Sequence, residues 1–548
     1  MSTHSGLRDT HRLPVLARRI GGRAAAATIA LSTALFLLAN GAGLSDPGLQ
    51  YDELLFVNAA LGDTHPYHGF IYSEALGIPT MLMPYIGAVK AWLYAPIFTV
   101  FGVSVDSVRI PAVLLAALAL VLAVLLVYRL LETWPAVVLA VLLATDPVYG
   151  AVSRADWGPI VISALLRVFA LLCYFAFLRR EGVRYLWLLV LALSLGLFNK
   201  LDYVWFIAAI GIAALVVHRR ELLEIARRQW IAVLLPVASF GAVLIAAFVT
   251  LILPATRLPL AGSHASLGGR ISEVGHLFRI TVDGTGVYQY MTGSPLNHAT
   301  LMGSLFPWIF IGCAIVAVWN VAFGRRLASN DVLRKAAATT TFFLILFIVM
   351  AVGIILTRQA TGPQHIMLLW PLPAVLAVCL LVTMARLPTR GRGVAVMVVG
   401  ALLAALLVTQ VRTTAAYVHA YRGDRSWNTI WSPEIYAAAH AVSRSAPGAE
   451  SVITADWGLG NQIFALGNEA VRDRFSDPWP TFSSAAATPA SLEQEWFQGR
   501  RVIVVFHTLA GEIMPSTTQR VEAILKSLGA HARPIFDGRQ IEVEEVVP

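Results

Sequence analysis

What this 548-residue chain lacks most is charge. Only 13% of its residues are Asp, Glu, Lys or Arg, against about 25% in soluble domains, while 57% are hydrophobic. Several stretches of about 18 or more residues carry no charge, roughly the length a helix needs to cross the hydrocarbon core, so a soluble multidomain enzyme is excluded. Those runs are continuously apolar and do not alternate, which excludes a membrane β-barrel. Cysteine is scarce as well: Cys173, Cys313 and Cys379 all lie in apolar runs, leaving neither a disulfide framework nor a thiolate metal cluster.

Eleven apolar stretches read as transmembrane helices, near 24–44, 109–127, 135–150, 158–178, 185–199, 203–217, 230–253, 301–322, 336–356, 366–384 and 393–411. With a cytoplasmic N-terminus, alternation puts 20 Lys and Arg residues in the inside segments and eight in the outside segments before the tail, as the positive-inside rule requires. The net charge of +9 is thus explained by topology and needs no nucleic acid. Residues 77–102 are apolar but would invert the charge pattern if they spanned, so they read as an interfacial helix with Lys90 snorkelling. The expected fold is a polytopic α-helical membrane protein of about eleven transmembrane helices, with interfacial helices in the first outer loop and a C-terminal extracytoplasmic α/β domain. The divisions are a cytoplasmic basic N-terminus (1–23), a transmembrane region (24–411) with outer loops at 45–108 and 254–300, and the soluble domain (412–548). The 254–300 loop, with His264, His276, His298 and Asp283, reads as mobile. Short β-like runs at Ser451 to Thr454 and Arg501 to Phe506, and a hairpin around DGRQIEVEEV, mark the tail. The tetrapeptide ADWG occurs twice, at 155–158 and 455–458, too short to indicate duplication.

On this topology five outer segments gather polar residues at one face. Tyr51-Asp52-Glu53 follows the first span, and adjacent carboxylates can divide labour between accepting a proton and orienting it or holding a cation. Arg109 opens a long span and has the fork that grips phosphate bidentately. Arg154 and Asp156 follow the third span. Lys200, Asp202 and Tyr203 interrupt a hydrophobic stretch, where charge is costly and so often functional. Last come Arg358, Gln364 and His365. Arg167, inside the fourth span, reads as paired within the bundle or displaced by the span boundaries. Convergence of these groups would make an anion pocket with a carboxylate pair at the lipid–water boundary, suited to a substrate with an apolar tail and phosphate head. A channel would instead need a polar path through the bilayer.

The acidic DE after the first span, FGVSVDSVRIPAVL, DPVYGAVSRADWGP, GLFNK after the fifth span, and RQ…QH before WPLP together resemble the GT-C membrane glycosyltransferases, in particular protein O-mannosyltransferases and the aminoarabinose transferases of lipid A. The resemblance spans roughly residues 24–385. It implies a multi-pass protein of the plasma (inner) membrane that moves a sugar from a polyprenyl-phosphate donor to a hydroxyl of a protein, lipid or glycan acceptor at the outer face. It makes Asp52 the base, with Glu53 and Asp156 as further catalytic acids, and Arg109, Lys200 and Arg358 donor-phosphate ligands. Tyr51, Lys90, Arg154, Asp202, Tyr203, Gln364 and His365 become substrate contacts. The Lys-Pro pair of the aminoarabinose transferases is missing from the interfacial segment, where Glu74 and Ile78-Pro79 stand with Lys90 further on.

The chemistry is coherent. Charge builds on the leaving phosphate, where a fixed cation favours the transition state, and in-line attack by a hydroxyl deprotonated by Asp52 implies inversion. No cofactor is required, and a divalent metal on Glu53 or Asp156 stays open because an oxygen-only signal is weak. The alternative is a transporter or flippase for a lipid-linked or anionic solute. That reading calls for related halves and polar residues near the midplane.

Overall fold

A computed structural model describes residues 12–61, 72–253, 266–323, 331–357, 362–387, 392–422 and 427–548. Every one of the eleven apolar stretches coincides with helix. Among the described residues eight helices are long and apolar enough to cross a membrane: Gly22–Asn40, Val105–Leu131, Ile160–Leu178, Trp230–Ile252, Met302–Ala322, Val332–Leu356, Pro363–Ala385 and Arg392–Arg422. Two more qualify only as bent pairs, Thr133–Ala144 with Pro147–Arg154 (55°) and Leu201–Val217 with Arg219–Arg228 (91°). The count is therefore eight to ten, because the eleventh stretch forms a 16-residue helix, Arg184–Asn199, short of the roughly 20 residues a full crossing takes.

The breaks have local causes. Pro147 cannot continue the preceding helix, and Asp146 starts the next by accepting from the backbone N–H of Val148 (3.0 Å) and Tyr149 (3.1 Å). Arg219–Arg228 carries four arginines and two glutamates, so it turns aside where the apolar Val204–Val217 ends. Ile160–Leu178 and Pro363–Ala385 sit at the centre of the bundle, while Trp230–Ile252 and Arg392–Arg422 expose Ile and Leu side chains at its periphery.

The first loop holds a helix Tyr51–Ala60, a hairpin of Ser73–Ala75 with Ile78–Met81, and an apolar helix Val89–Phe101. The stretch expected to be one interfacial helix from 77 thus opens as strand, and helix begins only at Val89. The described part of 254–300 is also largely helical, in Leu267–Val282 and Thr285–Thr292. Ser266 caps the first of these through Gly269, and Asp283 ties the pair down by accepting from the N–H of Gly303 at 2.7 Å. His264 lies outside the described residues.

The tail forms the anticipated α/β domain. Its sheet runs Phe475–Ser476, Ser451–Thr454, Val502–His507, Ile541–Val546, Ala532–Asp537, the first three parallel and the last two an antiparallel hairpin. It sits on the first loop: Asn58 Nδ2 donates to the carbonyl and side chain of Asn461 (both 3.2 Å), and Asn461 Nδ2 returns a bond to the Tyr51 carbonyl at 2.9 Å. The linker to this domain presses on the loop as well. The Gly48 N–H donates to Trp431 O at 2.8 Å, and a Cβ at Gly48 would lie 2.2 Å from Ser432 O, so only glycine fits.

Candidate active site

Between Asn40 and Gln50 the chain has no regular structure, so its carbonyls need partners from elsewhere. Two buried arginines supply them. Arg109, fully buried at the start of the Val105–Leu131 helix, donates Nη1 to Leu44 O and Pro47 O (both 2.6 Å), Nη2 to Gly48 O (3.0 Å) and Glu53 Oε1 (2.7 Å), and Nε to Glu53 Oε2 (2.9 Å). Arg154 donates to the carbonyls of Asn40, Ala42, Gly43 and Asp46, with its guanidinium 4.2 Å from the centre of the Tyr421 ring. A guanidinium has five N–H bonds, and in both residues all five are engaged by protein. Arg109, expected as a phosphate ligand, and Arg154, expected as a substrate contact, thus act in this structure as clamps that shape the loop.

Glu53 belongs to the same clamp. Beyond its two bonds to Arg109 it accepts from the Gln50 N–H at 2.9 Å, while Gln50 Oε1 accepts from the Asp52 N–H at 2.7 Å, a reciprocal cap on the helix that carries Asp52. Glu53 is fully buried and is not a second free acid beside Asp52.

Lys90 and Asp156 are engaged by protein in the same way. Lys90 Nζ is buried against Asp156 Oδ2 (2.8 Å), Asp156 O and Gly158 O (both 3.1 Å), which uses its three donors, and it neither snorkels nor faces a substrate. Asp156 also accepts from the Tyr94 hydroxyl at 3.2 Å, and burial pushes its carboxyl up to about 7 against the pull of Lys90. Glu53 and Asp156 are each paired with a cation. Among the described residues no group of three or more His, Cys, Asp or Glu could hold one.

That leaves Asp52, the one partly exposed carboxylate of the three. Trp157 Nε1 donates to its Oδ2 at 3.2 Å. The protein packed around it raises its carboxyl above the ordinary range, opposed by the Trp157 hydrogen bond and, among charges, chiefly by Lys200. Lys200 is brought near by the loop itself, since Ile86 pairs with Lys200 and the Gly87 N–H donates to Asn199 O at 3.1 Å. Its Nζ meets Asp202 Oδ2 at 2.9 Å. His365, partly exposed beside Gln364, lies in the electrostatic reach of both Lys200 and Asp202. Tyr203 is buried against Phe206 and Gly196. Arg167 is buried within the bundle, its Nη2 donating to the carbonyls of Met367 (3.2 Å) and Trp370 (3.4 Å) while its Nε and Nη1 have no hydrogen-bond partner among the described residues. Arg358 lies outside the described residues. A small crevice of about 40 Å³ lies along the following segment, lined by Ile366, Met367, Leu369 and Trp370 with Asp146 and Gln410.

Sequence reasoning missed the aromatic groups around Asp52. Trp157 stacks on Tyr290 with ring centres 5.0 Å apart and meets Trp431 edge-on at 5.5 Å, and Tyr51 packs on Trp457 at 5.1 Å. The signal was present in the two ADWG copies, whose tryptophans both reach the start of the Asp52 helix.

Loops, clamps and bundle together define a class of polytopic membrane protein with a partly exposed acid at one end of the helices. Residues 87–254 match the family of dolichyl-phosphate-mannose-protein mannosyltransferases. No curated protein matches the chain by sequence. Its fold is similar to that of ArnT from Cupriavidus metallidurans, solved in the apo state (TM-score 0.52, 12% identity, covering 95% of this chain and 97% of that one). It is also similar to the oligosaccharyltransferase AglB from Archaeoglobus fulgidus, solved with an inhibitory peptide and a dolichol-phosphate (TM-score 0.51, 12% identity, 88% of this chain and 69% of that one). The chain thus has the fold of the GT-C superfamily of membrane glycosyltransferases, the class its motifs resemble.

Proposed function

We propose that the protein transfers a sugar from a polyprenyl-phosphate carrier to an acceptor hydroxyl at the outer face of the plasma membrane, with a cytoplasmic N-terminus and an extracytoplasmic C-terminal domain. The observation that carries this reading is Asp52, the one partly exposed acid among three whose other members are locked to Arg109 and Lys90. Asp52 takes the acceptor proton, the acceptor oxygen bonds to the anomeric carbon, and the bond from that carbon to the phosphate oxygen breaks on the opposite side. The product is inverted and the polyprenyl phosphate leaves with the bonding electrons. Lys200, whose one partner among the described residues is Asp202, offers its remaining N–H bonds to that phosphate. A mannosyltransferase-type family match and a fold shared with a protein solved with dolichol-phosphate support the donor class.

The test is reconstitution of the full chain in lipid nanodiscs with polyprenyl-phosphate mannose and total outer-surface glycoconjugates as acceptors. Mass spectrometry should find mannose transferred by wild type and not by Asp52→Asn. Equal transfer by both excludes Asp52 as the base.

A further inference from the structure

The two ADWG turns share three features, although Asp156 has a positive φ of 42° and Asp456 does not. In each, the aspartate is buried against a basic side chain, Asp156 on Lys90 Nζ and Asp456 on His507 Nδ1, both at 2.8 Å. In each, the glycine has a positive φ, 63° at Gly158 and 94° at Gly458. The tryptophan of each reaches the first turn of the Tyr51–Ala60 helix, Trp157 at Asp52 and Trp457 at Tyr51. They differ in exposure, since Trp157 is buried while Trp457, like Tyr51, is partly open. Trp457 is also firmly held: Asp456 accepts from the N–H groups of Trp457 (2.7 Å), Ile513 (2.9 Å) and Met514 (2.9 Å). The second turn follows the carboxyl end of the parallel strand Ser451–Thr454, and His507 ends its parallel neighbour. That end of a parallel sheet is where α/β domains place ligands.

From this we infer that the C-terminal domain completes the active site with a sugar-stacking wall, in which Trp457 and Tyr51 hold a pyranose ring beside the Asp52 carboxylate. Two rigid aromatic faces present flat apolar surface to the C–H face of a ring, and a carboxylate at their edge takes its hydroxyls. The ring is that of the donor or of a glycan acceptor. This inference rests on the glycosyltransferase reading, but binding and transfer can be measured apart.

Binding is tested with mannotriose as the probe, by saturation-transfer NMR on the full-length protein in nanodiscs. Wild type should saturate the ring C–H protons, Trp457→Ala should lose the effect, and Trp457→Phe should keep most of it. No saturation in wild type, an unchanged signal in Trp457→Ala, or saturation of a Ser/Thr peptide in place of mannotriose overturns the wall. Transfer kinetics then identify the ring. Trp457→Ala should raise KM about tenfold with kcat little changed, for the donor if the donor sugar stacks and for mannotriose as acceptor if the acceptor does. Unchanged KM for both overturns the proposal. If mannotriose binds as described but no variant or wild type transfers sugar, the transferase reading fails while the wall stands.

Discussion

Trp157 Nε1 donates to Asp52 Oδ2 at 3.2 Å, joining the turn after the third predicted span to the helix after the first. The bond steadies a carboxylate that burial would otherwise drive further toward its neutral form. A base works only when ionised, so transfer should fall as the pH drops through the Asp52 pKa, on an acidic limb above the ordinary carboxylate value of about 4. Trp157→Phe keeps the ring and removes the donor. Its acidic limb in kcat/KM should move to higher pH, with a smaller loss above the limb than below it. An unmoved limb would show that the bond does not tune the base.

Arg109 has a different expected phenotype from the one its position in the sequence suggests. A phosphate ligand would show itself as a raised donor KM in a stable protein. A buried clamp with five bonds should instead cost stability, about 3–5 kcal/mol when one partner of the buried pair is removed. Arg109→Ala should therefore lower the melting temperature in detergent sharply and reduce folded yield. Glu53→Gln, which keeps an acceptor for the guanidinium and for the Gln50 N–H, should be much milder. A stable Arg109→Ala protein with only a donor defect would restore the phosphate role.

The fold was legible because its signals are local. Runs of Leu, Ala and Val mark spans, the arginines mark their ends, and the DGRQIEVEEV hairpin lies where its turn residues put it, between Ala532–Asp537 and Ile541–Val546. The site was legible only as a set of residues at one end of the bundle. Which charged residue faces a substrate depends on partners distant in sequence: Arg109 binds carbonyls 61 to 65 residues away, and Lys90 meets Asp156 across 66. A charged residue that clamps a loop and one that grips phosphate look the same in sequence. The irregular 40–50 stretch gave the missing clue, since a loop rich in Gly, Pro and Ser at the bundle end must find donors for its carbonyls.

Lys200 should behave as Arg109 does not. Held by Asp202, it is among the described residues the cation acting most on Asp52. Lys200→Met should lower kcat/KM for the polyprenyl-phosphate sugar by about a hundredfold or more, the scale seen when one fixed charge-stabilising donor is removed. The melting temperature should fall by far less than in Arg109→Ala. Wild-type kinetics in Lys200→Met would remove it from the phosphate site.

Asp156 gives the clearest test of structural against catalytic acid, because its titration has a stability sign. Its carboxyl in the folded protein sits near 7, above the ordinary value of about 3.9 expected when unfolded. The folded state therefore binds this proton more tightly, and the contribution is fully present at low pH and withdrawn as pH rises through about 7. Between pH 5 and 8 the wild-type melting temperature should fall relative to that of Asp156→Asn, which carries no such titration. The variant should still fold, since Asn keeps an oxygen for Lys90 and Tyr94 and the Lys90 bonds to the carbonyls of residues 156 and 158 remain. Its kcat should stay within about tenfold of wild type, the smallest effect expected on losing a group that itself moves a proton being about a hundredfold. A folded Asp156→Asn with kcat reduced a thousandfold would return Asp156 to the chemistry.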